Sequence, residues 1–247
     1  MHRLDWLKRP VAHRGLHEAA SGIIENSASS VEAAIARDYA VEVDLQCTAD
    51  RKAIVFHDRT LDRLTSETGA VAGRSAAELC TIPLKDSDDH ILSLHDLLAL
   101  VRGRVPLLLE VKSTWGDDRR FEANIAKELT GYTGHVAVMS FDPRCVAAFR
   151  ACAPSLPCGL VSERFQDPHY WSHLTTLQRF AMRQLLTSAI ARPHFIAYDI
   201  NALPALAPAI AQRVLGLPLL AWTVRNEAER ARAVRYADAM LFEGVVP

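Results

Sequence analysis

Short apolar runs alternate with amphipathic stretches along the whole chain. The runs are PVAHRG (10–15), YAVEVDLQC (39–47), AIVFHD (53–58), PLLLEVK (106–112), HVAVMSFD (135–142), CGLVS (158–162), HFIAYDI (194–200), LPLLAWTV (217–224) and AMLFEG (239–244). Between them lie helical patterns with recognisable ends. Ser29 and Glu32 stand in S-x-x-E spacing, which predicts a capping box. Ser93 opens a helix with the stripe Leu94, Leu97, Leu98 and Val101, closed at Gly103. Asp142 precedes Pro143 as an N-cap before a first-turn proline, and Asn226 opens the last helix. Regular strand–helix alternation predicts a parallel β/α architecture.

Nine runs are one too many for an eight-stranded barrel. Only about four residues, Ala49 to Lys52, part the second run from the third, too few for the crossover that parallel neighbours need. These two runs therefore form an antiparallel hairpin. Tyr39–Asp44 is then the second barrel strand, with the hairpin standing above the barrel mouth and His57 roughly opposite Asp44. The eight remaining strands close most simply as a parallel β/α barrel. An open doubly wound sheet is the alternative, although no G-x-G-x-x-G follows the first strand. Residues 163–193, with Trp171, Leu174, Leu177 and Leu185 in a stripe, are expected to pack as an outer helix on the barrel. A membrane-facing or partner-binding surface is the other reading of that stripe. No linker, repeat or low-complexity tract interrupts residues 1–247, so a single domain is expected.

Composition narrows the function classes. With 28 basic and 29 acidic residues the net charge is -1, which offers no global field to nucleic acid or an anionic membrane. The start, MHRLDWLKRP, has charges but no apolar stretch of a signal peptide, and no run approaches the roughly 20 apolar residues of a membrane span. Five cysteines, odd in number and without a C-x-x-C pair, read as free thiols in a reducing cytoplasm and argue against structural zinc.

The chemistry lies in the charges that interrupt the strands. Glu42 and Asp44 are two residues apart and share a strand face, as do Glu110 and Lys112. Parallel barrel strands are normally continuous apolar runs, so such charges are costly unless they bind something. All fall at strand C-termini, where barrel enzymes build their sites. His13 and Arg14 end the first strand, Trp222 and Thr223 end the seventh, and the hairpin returns His57 to the same rim. Taken singly, each has an ordinary structural explanation: a strand-end histidine, a surface ion pair, a packing tryptophan. Jointly they are three acids, two bases and two histidines on one rim. Three carboxylates without cysteine suit a hard divalent cation, Mg²⁺ or Ca²⁺. Histidines 13 and 57 joining as ligands of a transition metal is the competing reading. A cation with Arg14 and Lys112 describes a phosphate clamp, flanked by two histidines able to act as acid and base near neutral pH.

These residues also carry a resemblance. His13-Arg14-Gly15, Glu25-Asn26, Glu42-Val43-Asp44 and the run from His57 to Arg63 resemble the signature of glycerophosphodiester phosphodiesterases. Glu110-Val111-Lys112, Ser140-Phe141-Asp142 and Trp222-Thr223-Val224 match its later blocks, whereas residues 163 to 193 match weakly. The resemblance implies a TIM (β/α)8 barrel hydrolysing small-molecule glycerophosphodiesters to sn-glycerol 3-phosphate and an alcohol, with one divalent cation. Carried over, it makes Glu42, Asp44 and Glu110 the metal ligands and His13 and His57 the acid–base pair. Arg14 and Lys112 would bind phosphate, Trp222 would line the glycerol or alcohol side, and Glu25 would brace the rim loop. Hydrolysis of lysophospholipids by a lysophospholipase D of this fold is the alternative, and a catalytically silent phosphate-binding barrel a third. The eighth strand ends Leu241-Phe242-Glu243-Gly244, where the family pattern has Thr-Asp before Arg-Pro.

Overall fold

The computed structural model describes residues 4–245 and 247. It contains β1 (Val11–Ala12), α1 (Ala28–Ala36), β2 (Ala40–Cys47), β3 (Ala53–Val55), α2 (Ala76–Leu79), β4 (Leu92–Ser93), α3 (Leu94–Val101) and β5 (Leu107–Val111). The chain continues through α4 (Arg120–Glu128), β6 (Val136–Ser140), α5 (Pro143–Cys152), β7 (Cys158–Ser162), α6 (Thr176–Arg183) and α7 (Ser188–Ala191). It ends with β8 (Phe195–Asp199), α8 (Leu206–Arg213), β9 (Leu219–Val224), α9 (Glu227–Tyr236) and β10 (Ala239–Phe242). The parallel strands run β2-β5-β6-β7-β8-β9-β10-β1, and β1 pairs back onto β2, which closes an eight-stranded barrel.

Two apolar layers hold it. Inward side chains such as Val11, Leu108, Met139, Phe195 and Leu220 fill the barrel, with Leu7 packed in the same cluster. Outward ones, among them Val43, Leu109, Leu160 and Ile196, meet the helices through residues such as Val31, Leu97, Ile125 and Phe149. Gly159 is required by close approach: a Cβ there would fall within 2.7 Å of three atoms of the Phe195 ring.

The excursion above the mouth is larger than a hairpin. β3 pairs antiparallel with β2 and also with β4, a short strand that the apolar pattern did not reveal. The intervening residues enclose a small core of their own, built on Ile54, Phe56, Leu61, Leu79 and Ile91. Register corrects one expectation. The ladder ends at Cys47↔Ala53, so the turn holds five residues, 48 to 52, and Phe56 faces Asp44. Its N–H donates to the Asp44 carbonyl at 3.0 Å, which leaves His57 one residue further out.

Two helix expectations are corrected as well. α1 is capped by Ser27, not Ser29. Ser27 Oγ accepts from Ser30 N at 3.2 Å and Ser30 Oγ closes the box, while Glu32 instead pairs with Arg104 at 2.6 Å. Asn26, with φ 60, turns the chain into the helix two residues earlier than the S-x-x-E spacing suggests. Residues 163–193 are not one outer helix. Trp171 and Leu174 lie in the loop before α6, buried with Phe165 and Met182, while Leu177 is 76% exposed. Leu185, at φ 56, then separates α6 from α7. The caps expected at Ser93, Asp142 and Asn226 are present. α3 ends in left-handed Arg102, with Gly103 following it in the same region.

Candidate active site

The first strand ends in a turn that decides what faces the mouth. Arg14 (φ 57) and Gly15 (φ 77) are both left-handed, and the Gly15 N–H donates to the Glu42 carbonyl at 3.1 Å. A Cβ on Gly15 would lie 2.7 Å from the Ser30 backbone carbon, so only glycine fits. Glycine thus allows the reversal that leaves His13 and Arg14 on the rim.

Register does the same for the acids. Asp44 lies directly across from Glu110 in the β2–β5 ladder, with Glu42 two residues before it on the same face. One oxygen from each of Glu42, Asp44 and Glu110 falls within 4.8 Å of the others. All three are buried: 0%, 1% and 7% exposed. Asn26 fixes Asp44 at both ends, donating from Nδ2 to Oδ2 at 2.9 Å and accepting from the Asp44 N–H at 3.0 Å. The Arg14 N–H donates to Glu42 Oε2 at 3.0 Å, while Glu42 Oε1 is buried with no hydrogen-bond partner.

Electrostatics divide the triad. Burial, then the charges of Asp44 and Glu110, push the Glu42 carboxyl well above the usual range. Burial presses Asp44 the same way, but Lys112, His57 and Arg14 outweigh it and hold Asp44 far below that range. The Lys112 ammonium sits 2.8 Å from Asp44 Oδ1 and also pairs with Glu110. Burial would lower Lys112, yet the two carboxylates raise it. Arg14 reaches Glu25 at 2.7 Å and Asp44 at 3.3 Å. Glu25 also receives Arg63, so it does brace the rim loop.

Both histidines line one cavity beside this cluster, together with Arg14, Glu110, Lys112 and Trp222. The eight side chains expected to bind metal, phosphate or substrate or to transfer protons are therefore brought together. Each histidine also has an acidic neighbour that sequence reasoning left without a role. His57 Nδ1 lies 2.8 Å from Asp58, which is itself held by Arg63 at 2.6 Å. His13 Nδ1 lies 3.3 Å from Glu243, which binds Arg225 at 2.9 Å and has His17 at 3.7 Å. Burial lowers His13, against the raising effect of its Glu243 hydrogen bond. Asp58 was signalled by its adjacency to His57; Glu243 was visible only as the departure at the eighth strand's end.

Three buried carboxylates on neighbouring strands, one of their oxygens unpartnered, make an oxygen-rich site that fits a hard divalent cation. The model of the glycerophosphoryl diester phosphodiesterase family matches residues 13–246. This chain belongs to that family. It is accordingly a phosphoric diester hydrolase. A glycerophosphodiester phosphodiesterase of Bacillus subtilis (strain 168) is 27% identical over 257 residues, covering 94% of this chain and 82% of the relative. Another, from Caldanaerobacter subterraneus subsp. tengcongensis, is 24% identical over 236 residues, covering 91% and 89%. A phosphodiesterase of Oleispira antarctica, solved with the product sn-glycerol-3-phosphate, superposes with a TM-score of 0.77 at 18% identity, covering 96% of this chain and 94% of the other. At that identity the likeness concerns the fold: both are the same barrel.

Proposed function

We propose that this chain, acting as one catalytic domain, hydrolyses glycerophosphodiesters to sn-glycerol 3-phosphate and an alcohol with the help of a divalent cation. The observation that carries this reading is the buried Glu42–Asp44–Glu110 triad, set beside two histidines and two cationic side chains at one barrel mouth. Glu42, Asp44 and Glu110 hold the cation, Mg²⁺ or Ca²⁺ by the chemistry of an all-carboxylate donor set. When bound, the cation neutralises charge that develops on the phosphoryl oxygens. Arg14 and Lys112 bind and orient the phosphate. His13 and His57 serve as acid and base, each aimed by a carboxylate on its Nδ1 so that Nε2 does the proton transfer. Trp222 walls the substrate cavity, its ring edge-to-face with Phe141 at 5.6 Å.

The product sn-glycerol 3-phosphate named with the Oleispira relative supports this substrate class. No helix among the described residues is long and apolar enough to cross a membrane. The test is a panel of glycerophosphodiesters with coupled detection of sn-glycerol 3-phosphate. Turnover that chelator abolishes and Mg²⁺ or Ca²⁺ restores is expected. Turnover persisting after exhaustive chelation contradicts the cation's role, and His13→Ala or His57→Ala at near-normal rate contradicts theirs.

A further inference from the structure

The outward faces of α6, α7 and α8 differ from the rest of the surface. Ten large apolar side chains are exposed among the described residues, and nine of them fall between Tyr170 and Leu215. Scattered singly such residues mean little, but crowded on one stretch they mark a contact surface. Acids avoid the same stretch. Residues 168–226 hold one of the chain's 29 acidic residues, Asp199, against five arginines.

Adjacent elements carry both features. α6 and α7 join β7 to β8, α8 joins β8 to β9, and these three strands are neighbours, so the helices cover one flank of the barrel. Met182 turns inward from α6 to join Trp171, Phe165 and Leu174. Ser162 and Tyr198, at the ends of β7 and β8, donate from their hydroxyls to the Met182 and Arg183 carbonyls at 2.9 Å. These contacts anchor α6 beside the mouth, where Trp171 lines the cavity of the two histidines. On its other side Leu177, Phe180 and Arg183 follow one another at three-residue spacing, all exposed. Exposed Leu186 extends that side, its N–H donating to the Ala181 carbonyl at 2.9 Å as left-handed Leu185 turns the chain into α7. On α8 and just beyond it, exposed Leu206, Ile210 and Val214 recur every four residues beside exposed Arg213. Among the described residues Arg179, Arg183, Arg192 and Arg213 form no ion pair. Elsewhere on the surface Arg51, Arg74 and Arg104 each reach an acid within 3.2 Å.

Charge decides what can cover this flank. A second copy related by a two-fold axis would set arginine against arginine and offer no acid to either. A dense negative layer over hydrocarbon answers both features at once. Lipid phosphates meet the guanidinium groups, and Leu177 and Phe180 enter the acyl boundary. We propose that this flank docks the protein peripherally on an anionic phospholipid surface, with α6 in first contact and the barrel mouth beside the headgroup layer. The net charge of -1 does not oppose this, because such a field acts only within a Debye length of about 8 Å.

The test is co-sedimentation of the full chain with vesicles of equal parts phosphatidylglycerol and phosphatidylcholine, against vesicles of phosphatidylcholine alone. Binding to the mixed vesicles should be at least about tenfold tighter and should weaken with added salt. An arginine near an anionic surface is worth about fivefold, so Arg179→Gln/Arg183→Gln should bind about 25-fold more weakly. Leu177→Ser/Phe180→Ser, which removes the apolar part of the contact, should lose at least about tenfold. Val234→Ser, at the one exposed large apolar side chain outside the stretch, should bind as the wild type does. Circular dichroism melts should show every variant folded, since all the altered side chains lie at the surface. Absence of wild-type binding at low salt, equal binding to both vesicles, or undiminished binding in either double variant overturns the proposal. Self-association in light scattering that Leu177→Ser/Phe180→Ser abolishes, without vesicle binding, also overturns it and assigns the flank to a second copy.

Discussion

Glu42 is the acid on which the site's energetics turn. It is fully buried, its Oε1 has no hydrogen-bond partner, and burial plus two neighbouring carboxylates raise its carboxyl well above the ordinary range. Ionised Glu42 therefore weighs against the cation-free fold, and a bound cation reverses that sign. Glu42→Gln keeps the acceptor for the Arg14 N–H but removes the charge. The variant should fold with no loss of cation-free thermal stability, and it should lose most of the rise in Tm that Mg²⁺ or Ca²⁺ gives the wild type. Activity should fall at least about 100-fold, the upper end of what even supporting residues of metal sites contribute. An undiminished Tm rise in the variant would remove Glu42 from the ligand set. Glu243 offers a second residue-level check. Its His13 hydrogen bond, opposed by burial and helped by Arg225, lowers it from 4.5 to about 2. A lowered carboxyl stabilises the fold above its unfolded value, and that stability is lost as pH falls through the folded one. The gap in denaturant stability between wild type and Glu243→Gln should thus be full above pH 4.5 and shrink towards pH 2. A gap constant across that window would mean that the contact does not form.

At the scale of elements, capping shows how far a pattern carries. Ser27 is fully buried and caps α1, whereas exposed Ser29 lies inside the first turn. Ser27→Ala should cost about 1 kcal/mol in equilibrium unfolding, and Ser29→Ala close to nothing. The reverse order would restore the cap that the S-x-x-E spacing suggests. That spacing misled because Glu32 has a stronger use, in its ion pair with Arg104, a residue 72 positions away that no local rule can see. The same limit explains β4. Two residues gain their strand character only from β3 beside them. It explains Trp171 too: its stripe partners Leu174 and Leu185 are indeed buried, but Leu174 lies in the loop with Trp171 and Leu185 in a turn within the outer apolar layer, while Leu177 faces solvent. The site was far more legible. Charges inside β2 and β5 break runs that are otherwise apolar except for Gln46, and period-two geometry puts them on one face without reference to the rest of the fold. The groups that aim the histidines were only half legible: Asp58 is signalled by its place beside His57, but Arg63 reaching Glu25, 38 positions away, and Glu243 meeting His13 across the β1–β10 closure are not.

At the scale of the whole molecule, closure of β1 onto β10 and β2 gathers every charged strand end at one mouth, and this bears on which atom attacks phosphorus. Of the hydroxyls around the site, Ser113 donates to Asp142 at 2.6 Å and Ser140 to the Val111 carbonyl at 2.7 Å, while Thr223 and Tyr170 line the cavity of the histidines. Among the described residues none of the four hydrogen-bonds to His13 or His57, so no hydroxyl of the site is paired with a base as an activated nucleophile would be. A glycerophosphodiester brings its own, the hydroxyl on the carbon adjacent to the one that bears the ester oxygen. On the proposed reading one histidine would take its proton, Arg14 and Lys112 would hold the phosphoryl oxygens, and the other histidine would protonate the departing alcohol. The first product would then be a cyclic glycerol phosphate, which water would open in a second step with the histidines exchanging roles. A tethered, oriented nucleophile gains up to about 7–11 kcal/mol over a free one. Only part of that advantage survives when water can substitute, so a 2-deoxy analogue of glycerophosphocholine should react at least about 100-fold more slowly. The cyclic phosphate should be trapped in single-turnover reactions of the natural diester, read by phosphorus NMR. Equal rates for the two diesters, with no cyclic species, would assign the attack to water directly and leave His13 and His57 to share the protonation of the leaving alcohol and the activation of that water.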